Sequence, residues 1–173
     1  QHLLQIINDV LDLSKIEAGK VELERIDFML DAVLTRSIDL VGGRAREKGL
    51  ELILDMRNLP ARLCGDPTRL SQVLVNLLDN AAKYTPVGTR IRIAAVADAS
   101  TVRVVVEDEG PGLPPGDPRL LFEKFQRGHE ESPVVGAGLG LAICSAIVSA
   151  HGGDITAGHG THGGARFEFT LPV

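Results

Sequence analysis

Tryptophan is absent from this 173-residue chain, tyrosine occurs once and phenylalanine five times. So few aromatic rings leave little of the platform on which single-strand nucleic-acid binders stack bases. Positive charge is also scarce: 18 Lys and Arg against 23 Asp and Glu give a formal net charge of -5. No overall positive field therefore draws in a phosphate backbone or an anionic membrane surface, and neither nucleic acid nor a membrane is expected as a partner. The two cysteines, Cys64 and Cys144, lie far apart with no Cys or His at metal-ligand spacing. They make no disulfide framework, and a reducing compartment is the simpler inference. No apolar run approaches a membrane span, and the N-terminus lacks a basic stretch leading to a small-residue cleavage site.

What is present is ordinary globular chemistry. A hydrophobic fraction of 44% and this length suit one domain of normal size plus an appendage. The chain opens in mid-pattern, on Leu3, Leu4, Ile6, Ile7, Val10, Leu11 and Leu13, and reads as a piece cut from something longer. Residues 2 to 18 are expected to form a helix stopping near Gly19, with a greasy stripe that calls for a partner helix, so a homodimer is expected. Alternation suggests a strand from Val21 to Phe28. A helix capped by Asp31 should run from Ala32 to about Lys48, bent at Gly42 and Gly43 and closed by Gly49, with a strand from Leu50 to Met56 after it. Asp66 and Pro67 then read as an N-cap and a first helical residue. Arg90 to Ala97 and Thr101 to Asp108 make a hairpin, and Gly138 to Ala150 an apolar helix. Strands at 154 to 158 and 165 to 171 complete helices packed on one mixed sheet. Residues 110 to 137, rich in Gly, Pro and charge, read as a mobile loop, the kind of segment that carries function.

The helix after Asp66 carries the chemistry. Leu70, Val73, Leu74, Leu77, Leu78 and Ala81 recur at the spacing of a buried face, which turns Asn76, Asn80, Lys83 and Tyr84 to another side. Polar residues on an amphipathic helix commonly meet only water, so this segment alone leaves water and a nucleotide both open. Two glycine motifs favour the nucleotide. Asp108-Glu109-Gly110-Pro111-Gly112 places a carboxylate at a strand end, able to accept a hydrogen bond from an exocyclic amine, before glycines that let the backbone approach a flat ligand; an acidic turn is the plain alternative. Gly136-Ala137-Gly138-Leu139-Gly140-Leu141 runs into a helix whose N-H groups suit phosphate oxygens. It is neither a Walker loop nor a Rossmann fingerprint.

In this order, the Asn-x-x-x-Asn helix, the Asp-x-Gly-x-Gly turn, the Phe-Glu-Lys-Phe patch at 122 to 125 and the Gly-x-Gly-x-Gly helix start resemble the catalytic domain of sensor histidine kinases. Residues 12 to 19, Asp-Leu-Ser-Lys-Ile-Glu-Ala-Gly, are similar to hybrid sensor kinases; from Gly65 onward the likeness is to potassium-responsive ones. The resemblance implies an α/β (α+β) fold. Its core is a two-layer Bergerat-type sandwich of a mixed, mainly antiparallel sheet on helices, shared with gyrase and mismatch-repair ATPases. Residues 1 to 20 would be the second helix of the dimerisation and phosphoacceptor hairpin, and 21 to 173 the ATP-binding domain with a lid at 113 to 137. It further implies that Asp108 binds the adenine amine, Tyr84 contacts the base, and Gly110 and Gly112 shape the adenine pocket. Asn80 would hold magnesium with Asn76 beside it at the catalytic position. Lys83 and Arg127 would reach phosphates, Gly136 and the turn of Gly138, Leu139, Gly140 and Leu141 would cradle them, and Phe122 and Phe125 would anchor the lid.

Related hydrolytic ATPases carry a water-activating Glu where Asn76 stands, and an amide is no general base. ATP held with magnesium would then keep its γ-phosphoryl group for another nucleophile. In the family that nucleophile is a histidine followed by an acidic residue, with a proline five positions on, and this chain has no such motif. His2 reads as a surface residue. His129 is followed by Glu130 but its Pro133 comes one residue early and in the lid; His151, His159 and His162 read as solvated loop residues. The expected function is transfer of the γ-phosphoryl group of Mg-ATP to a histidine outside this fragment, on a hairpin of the same or a second subunit, and thence to a response regulator. Autophosphorylation of the fragment in cis should fail. A non-catalytic nucleotide-binding regulatory or dimerisation module is the alternative, and a true ATPase the weaker third reading. Family members are often membrane proteins with this part in the cytoplasm, so the implied location is cytoplasmic.

Overall fold

The computed structural model describes residues 2–18, 22–123 and 138–173. Five strands form the main sheet in the order β2-β4-β5-β7-β6: β2 (Glu51–Arg57), β4 (Arg90–Ala97), β5 (Thr101–Asp108), β6 (Ile155–His159) and β7 (Ala165–Pro172). All neighbours are antiparallel except β2 and β4, which run parallel with Glu51 opposite Arg90. The sheet is mixed and mainly antiparallel, as expected. Alternation decides its two faces. Ile91, Ile93, Ala95, Val102, Val104, Val106, Phe167 and Phe169 are buried, while Arg103, Glu107, Arg166 and Glu168 form a charged row on the other side.

Three helices complete the second layer: α2 (Leu30–Glu47), α3 (Pro67–Tyr84) and α4 (Gly140–Ala150). In α3 the apolar stripe is almost wholly removed from water, with Leu70, Val73, Leu74, Leu77 and Leu78 each at 1% exposure or less. It packs between α2 and α4, and Ser37 of α2 meets Ser71 of α3 at 2.9 Å. The first helix, α1 (His2–Glu17), lies against α4.

Several expectations are corrected. The described residues form two sheets, because β1 (Ile26–Phe28) pairs with β3 (Leu63–Gly65) in a separate antiparallel ribbon. The strand expected over 21–28 is thus confined to three residues, and β3 was not foreseen; three residues carry too little alternation to announce a strand, and only the tertiary partner makes one. Helix α2 starts at Leu30, after Met29, so Asp31 sits inside the first turn, where its carboxylate accepts from Ala32 N at 2.7 Å and favours the positive end of the helix. Gly42 and Gly43 do not interrupt it; buried Val41 and Ala45 on either side hold the helix onto the core. Gly49, at φ 63°, ends the segment as expected.

Candidate functional site

Helix α3 is fixed at both ends by polar contacts. At its start Asp66 Oδ1 accepts from Arg69 N at 2.9 Å with Pro67 in the first turn. At its end the Lys48 ammonium donates to the carbonyls of Ala82 (2.7 Å) and Lys83 (3.0 Å), placing a cation at the negative pole. Rotation and axial position are therefore set, and with them the non-core side. Asn76 and Asn80 are half-buried, Lys83 is exposed and Tyr84 is 41% exposed.

Two other motifs come to this helix. Asn76 Nδ2 donates to the carbonyl of Gly140, the first residue of α4, at 3.4 Å. A β-carbon on Gly140 would lie 3.7 Å from the Asn76 amide, so the glycine-rich start of α4 rests on the middle of α3. Leu139 just before it is buried at 1% and anchors the turn from Gly138, while Leu141 packs half-buried against the core. With one N-H of the Asn76 amide on Gly140, its oxygen is a hard donor atom of the kind magnesium accepts.

Asp108 ends β5 and is 5% exposed. Its Oδ1 accepts from Gly110 N at 2.8 Å and from Ala165 N at 3.0 Å. Burial pushes this carboxyl above its usual range, against those two N-H bonds, and the charge of Glu107 adds to the rise. Both bonds fall on Oδ1; among the described residues none falls on Oδ2. Gly110 closes the gap to α3, since a β-carbon there would stand 3.1 Å from the Tyr84 carbonyl oxygen. Gly112, at φ 84°, turns the chain where a side chain would meet the Gly163 carbonyl at 2.9 Å.

The expected lid begins on the body. Leu113 and Phe122 pack against the core, and the latter, in a 3-10 turn (Pro118–Phe122), meets Phe167 edge to face with ring centroids 6.4 Å apart. Phe125, Arg127 and Gly136 lie outside the described residues, as does His129.

Sequence reading missed three participants. His151 is no solvated loop residue: its Nδ1 lies 2.8 Å from the Ile147 carbonyl and its Nε2 accepts from Asp66 N at 3.0 Å, so the ring joins the end of α4 to the start of α3 as the Nδ1-H tautomer. Glu107, 8% exposed on the far side of β5, accepts from the backbone N and the hydroxyl of Thr161. Gly164 fits so tightly that a β-carbon would fall 1.8 Å from the Asp108 carbonyl oxygen. None had a local signal beyond a glycine-rich turn. Cys144, by contrast, is inert core: fully buried, with its thiol pushed up to about 12 by burial.

A family described as histidine kinase-, DNA gyrase B-, and HSP90-like ATPase matches residues 65–173, the stretch that holds α3, the Asp108 turn and the start of α4. The sensor protein KdpD of Escherichia coli is 40% identical over 99% of this chain, and GacS of Pseudomonas syringae 38% over 99%. Among solved structures, a mycobacterial sensor histidine kinase MprB is 31% identical, with a TM-score of 0.74 over 86% of this chain and 97% of that one. The chain belongs to the ATP-binding catalytic domains of sensor histidine kinases. ShkA, solved full-length in complex with AMPPNP, superposes on this kinase domain with a TM-score of 0.86 at 36% identity, over 99% of the chain and 36% of ShkA. The domain spans about a fifth of the curated relatives' length, 19% of KdpD and 20% of GacS. Among its described residues no helix is long and apolar enough to cross a membrane.

Proposed function

We infer that this domain binds Mg-ATP between α3, the 108–112 turn and the start of α4, and passes the γ-phosphoryl group to a histidine carried outside these residues, from which a response regulator receives it. The observation that carries the reading is the meeting of all three motifs on α3: Asn76 on Gly140, and Gly110 on Tyr84. In this reading Asp108 offers Oδ2 to the adenine amine, Tyr84, Gly110 and Gly112 shape the base pocket, and the amide oxygen of Asn80 would hold magnesium, with Asn76 beside it at the catalytic position. Bound magnesium supplies charge neutralisation at the phosphates. Lys83, Arg127 and the N-H groups of Gly136 and of the turn from Gly138 to Leu141 serve the phosphate oxygens, with residues 113–137 as the lid that Phe122 and Phe125 tie down. Asn76 has no basic group to activate water, which supports transfer over hydrolysis.

Residues 1–20 are assigned to the hairpin and 21–173 to the catalytic domain. On α1, Leu4, Ile7, Val10 and Leu11 are exposed, which supports pairing with another helix in a homodimer. A further solved structure supports the partner class: the histidine kinase ThkA, 26% identical with a TM-score of 0.77, was solved in complex with the response regulator protein TrrA. A cytoplasmic location for this domain accords with that partner.

Calorimetric titration with Mg-ADP and a non-hydrolysable ATP analogue tests the site. Asp108→Asn should lower affinity on the order of 10- to 100-fold, as expected when a charge-assisted hydrogen bond is lost. Asn80→Ala should abolish the dependence of binding on magnesium. Phosphohistidine formed when a hairpin carrying the acceptor is added in trans supports the kinase reading. Binding without transfer would leave a regulatory module, and rapid phosphate release by the domain alone an ATPase.

A further inference from the structure

The end of β6 and the turn that leads from it into β7 read Gly158-His159-Gly160-Thr161-His162-Gly163-Gly164, four glycines in seven residues, and the turn itself, 160 to 164, has almost no side chain to bury. It closes on itself through Gly160 N to the Gly164 carbonyl (2.7 Å) and Gly163 N to the Gly160 carbonyl (3.2 Å). A segment of this composition has high conformational freedom when nothing else restrains it. Yet its last residue leads directly into Ala165, whose N-H is one of the two donors that fix Oδ1 of Asp108.

Two neighbouring carboxylates hold this turn from opposite faces of the sheet. On the helical face Asp108 takes the N-H of Ala165. On the other face Glu107 takes both the N-H and the hydroxyl of Thr161, the former at 2.7 Å, while Arg166, its register partner on β7, approaches its second oxygen at 3.5 Å. The fit leaves no slack: a β-carbon on Gly160 would come within 2.8 Å of Glu107 Cγ. Thr161 itself is exposed, so its hydroxyl serves this bond rather than the core.

We propose that Glu107 and Thr161 are positioning residues for base recognition: their clamp holds the glycine turn so that Ala165 N keeps Oδ1 of Asp108 occupied and Oδ2 is presented to the ligand's exocyclic amine. The inference rests on the adenine reading of Asp108 given above and assigns how that carboxylate is oriented. Neither residue touches the nucleotide; each acts through the turn. A free carboxylate rotates about its Cβ–Cγ bond, and one tied at a single oxygen has a defined remaining acceptor.

The test compares ADP with purine riboside 5′-diphosphate, which lacks the exocyclic amine, by calorimetry in the presence of magnesium. Thr161→Val keeps the N-H and removes only the hydroxyl bond; at an exposed position it does not threaten folding, and a thermal melt run alongside records stability. It should weaken ADP about tenfold while leaving the amine-free nucleotide within about twofold, so that discrimination collapses. Thr161→Ser, which keeps the hydroxyl, should restore it, and Glu107→Gln should fall between. If the wild type discriminates and the variants weaken both nucleotides equally, or neither, the clamp is only scaffold and the inference is overturned. If the wild type itself fails to distinguish the two nucleotides while binding both, Asp108 does not read the amine; that outcome removes the underlying reading and the clamp's role with it.

Discussion

Asp108 and Glu107 are adjacent in the chain, yet their acidities move in opposite directions. Burial holds Asp108 above the ordinary carboxylate range. Burial also works to raise Glu107, but the two hydrogen bonds from Thr161 and the charges of Arg166 and His162 outweigh it and hold that carboxyl lower. With a raised folded value, the charge on Asp108 costs the folded state stability as pH climbs from the ordinary value through the raised one. With a depressed folded value, Glu107 contributes stability that is complete above its ordinary value and is lost as pH falls through the depressed one. A proton on Asp108 would go to Oδ2, since Oδ1 is occupied, and would turn the acceptor into a donor facing an amine. Acidification should therefore weaken ADP first, beginning above the ordinary carboxylate range, and loosen the unliganded fold only at lower pH. Paired ADP titrations and thermal melts across pH check this; a parallel decline of both would contradict it. Asp108 was legible because its glycines follow within four residues. Glu107 was not, because its partner Thr161 is 54 residues away.

At the scale of elements, the start of α3 was readable to the residue because Asp66 and Pro67 begin it, and its buried face because one apolar stripe runs along it. The β4–β5 hairpin was readable too, since β4 alternates along most of its length, β5 alternates at its start and places Val102, Val104 and Val106 on one face, and three residues connect them. What could not be read was how the elements lock together. His151 is the example: as a residue after a helix it resembles a surface histidine, but the packing of α4 on α3 brings its ring to Asp66 N. Removing it strands a half-buried N-H, so His151→Ala should cost about 1–3 kcal/mol, seen as a lower denaturant midpoint. Gly65 gives an independent check. A β-carbon there would stand 2.9 Å from His151 Cδ2 and 3.5 Å from Phe28 Cε1, so Gly65→Ala should destabilise the wild type and do so less in the His151→Ala background. Additive effects would mean that the ring does not fill that space. The same reasoning explains β3, which exists because β1 pairs with it.

For the molecule as a whole, the open matter is how α1 is held on the catalytic body. Its sequence shows an apolar stripe and so a need for a partner, but not where the helix meets α3. The structure supplies the contact: Arg69 donates to Asp12 Oδ1 at 2.9 Å and to Gln72 Oε1 at 2.9 Å, and Gln72 donates to Asp12 Oδ2 at 2.8 Å. Every side chain in the triangle gains a partner from the other two, and the ion pair is only partly exposed, at 27% for Arg69 and 15% for Asp12. Networks of this kind are worth more than an exposed pair. A 16-residue helix is close to the limit of stability on its own, so α1 depends on such docking. The same Arg69 donates its backbone N-H to the Asp66 cap, which places the latch at the first turn of the helix that carries Asn76 and Asn80. Asp12→Ala and Arg69→Ala should each raise amide hydrogen exchange along α1. In a double-mutant cycle they should couple by about 1 kcal/mol, with ADP affinity unchanged because neither side chain belongs to the nucleotide site. Unchanged exchange in α1 would assign its docking to the contact with α4 alone. Lost ADP affinity in Asp12→Ala would instead mean that the position of α1 is transmitted along α3 to the nucleotide.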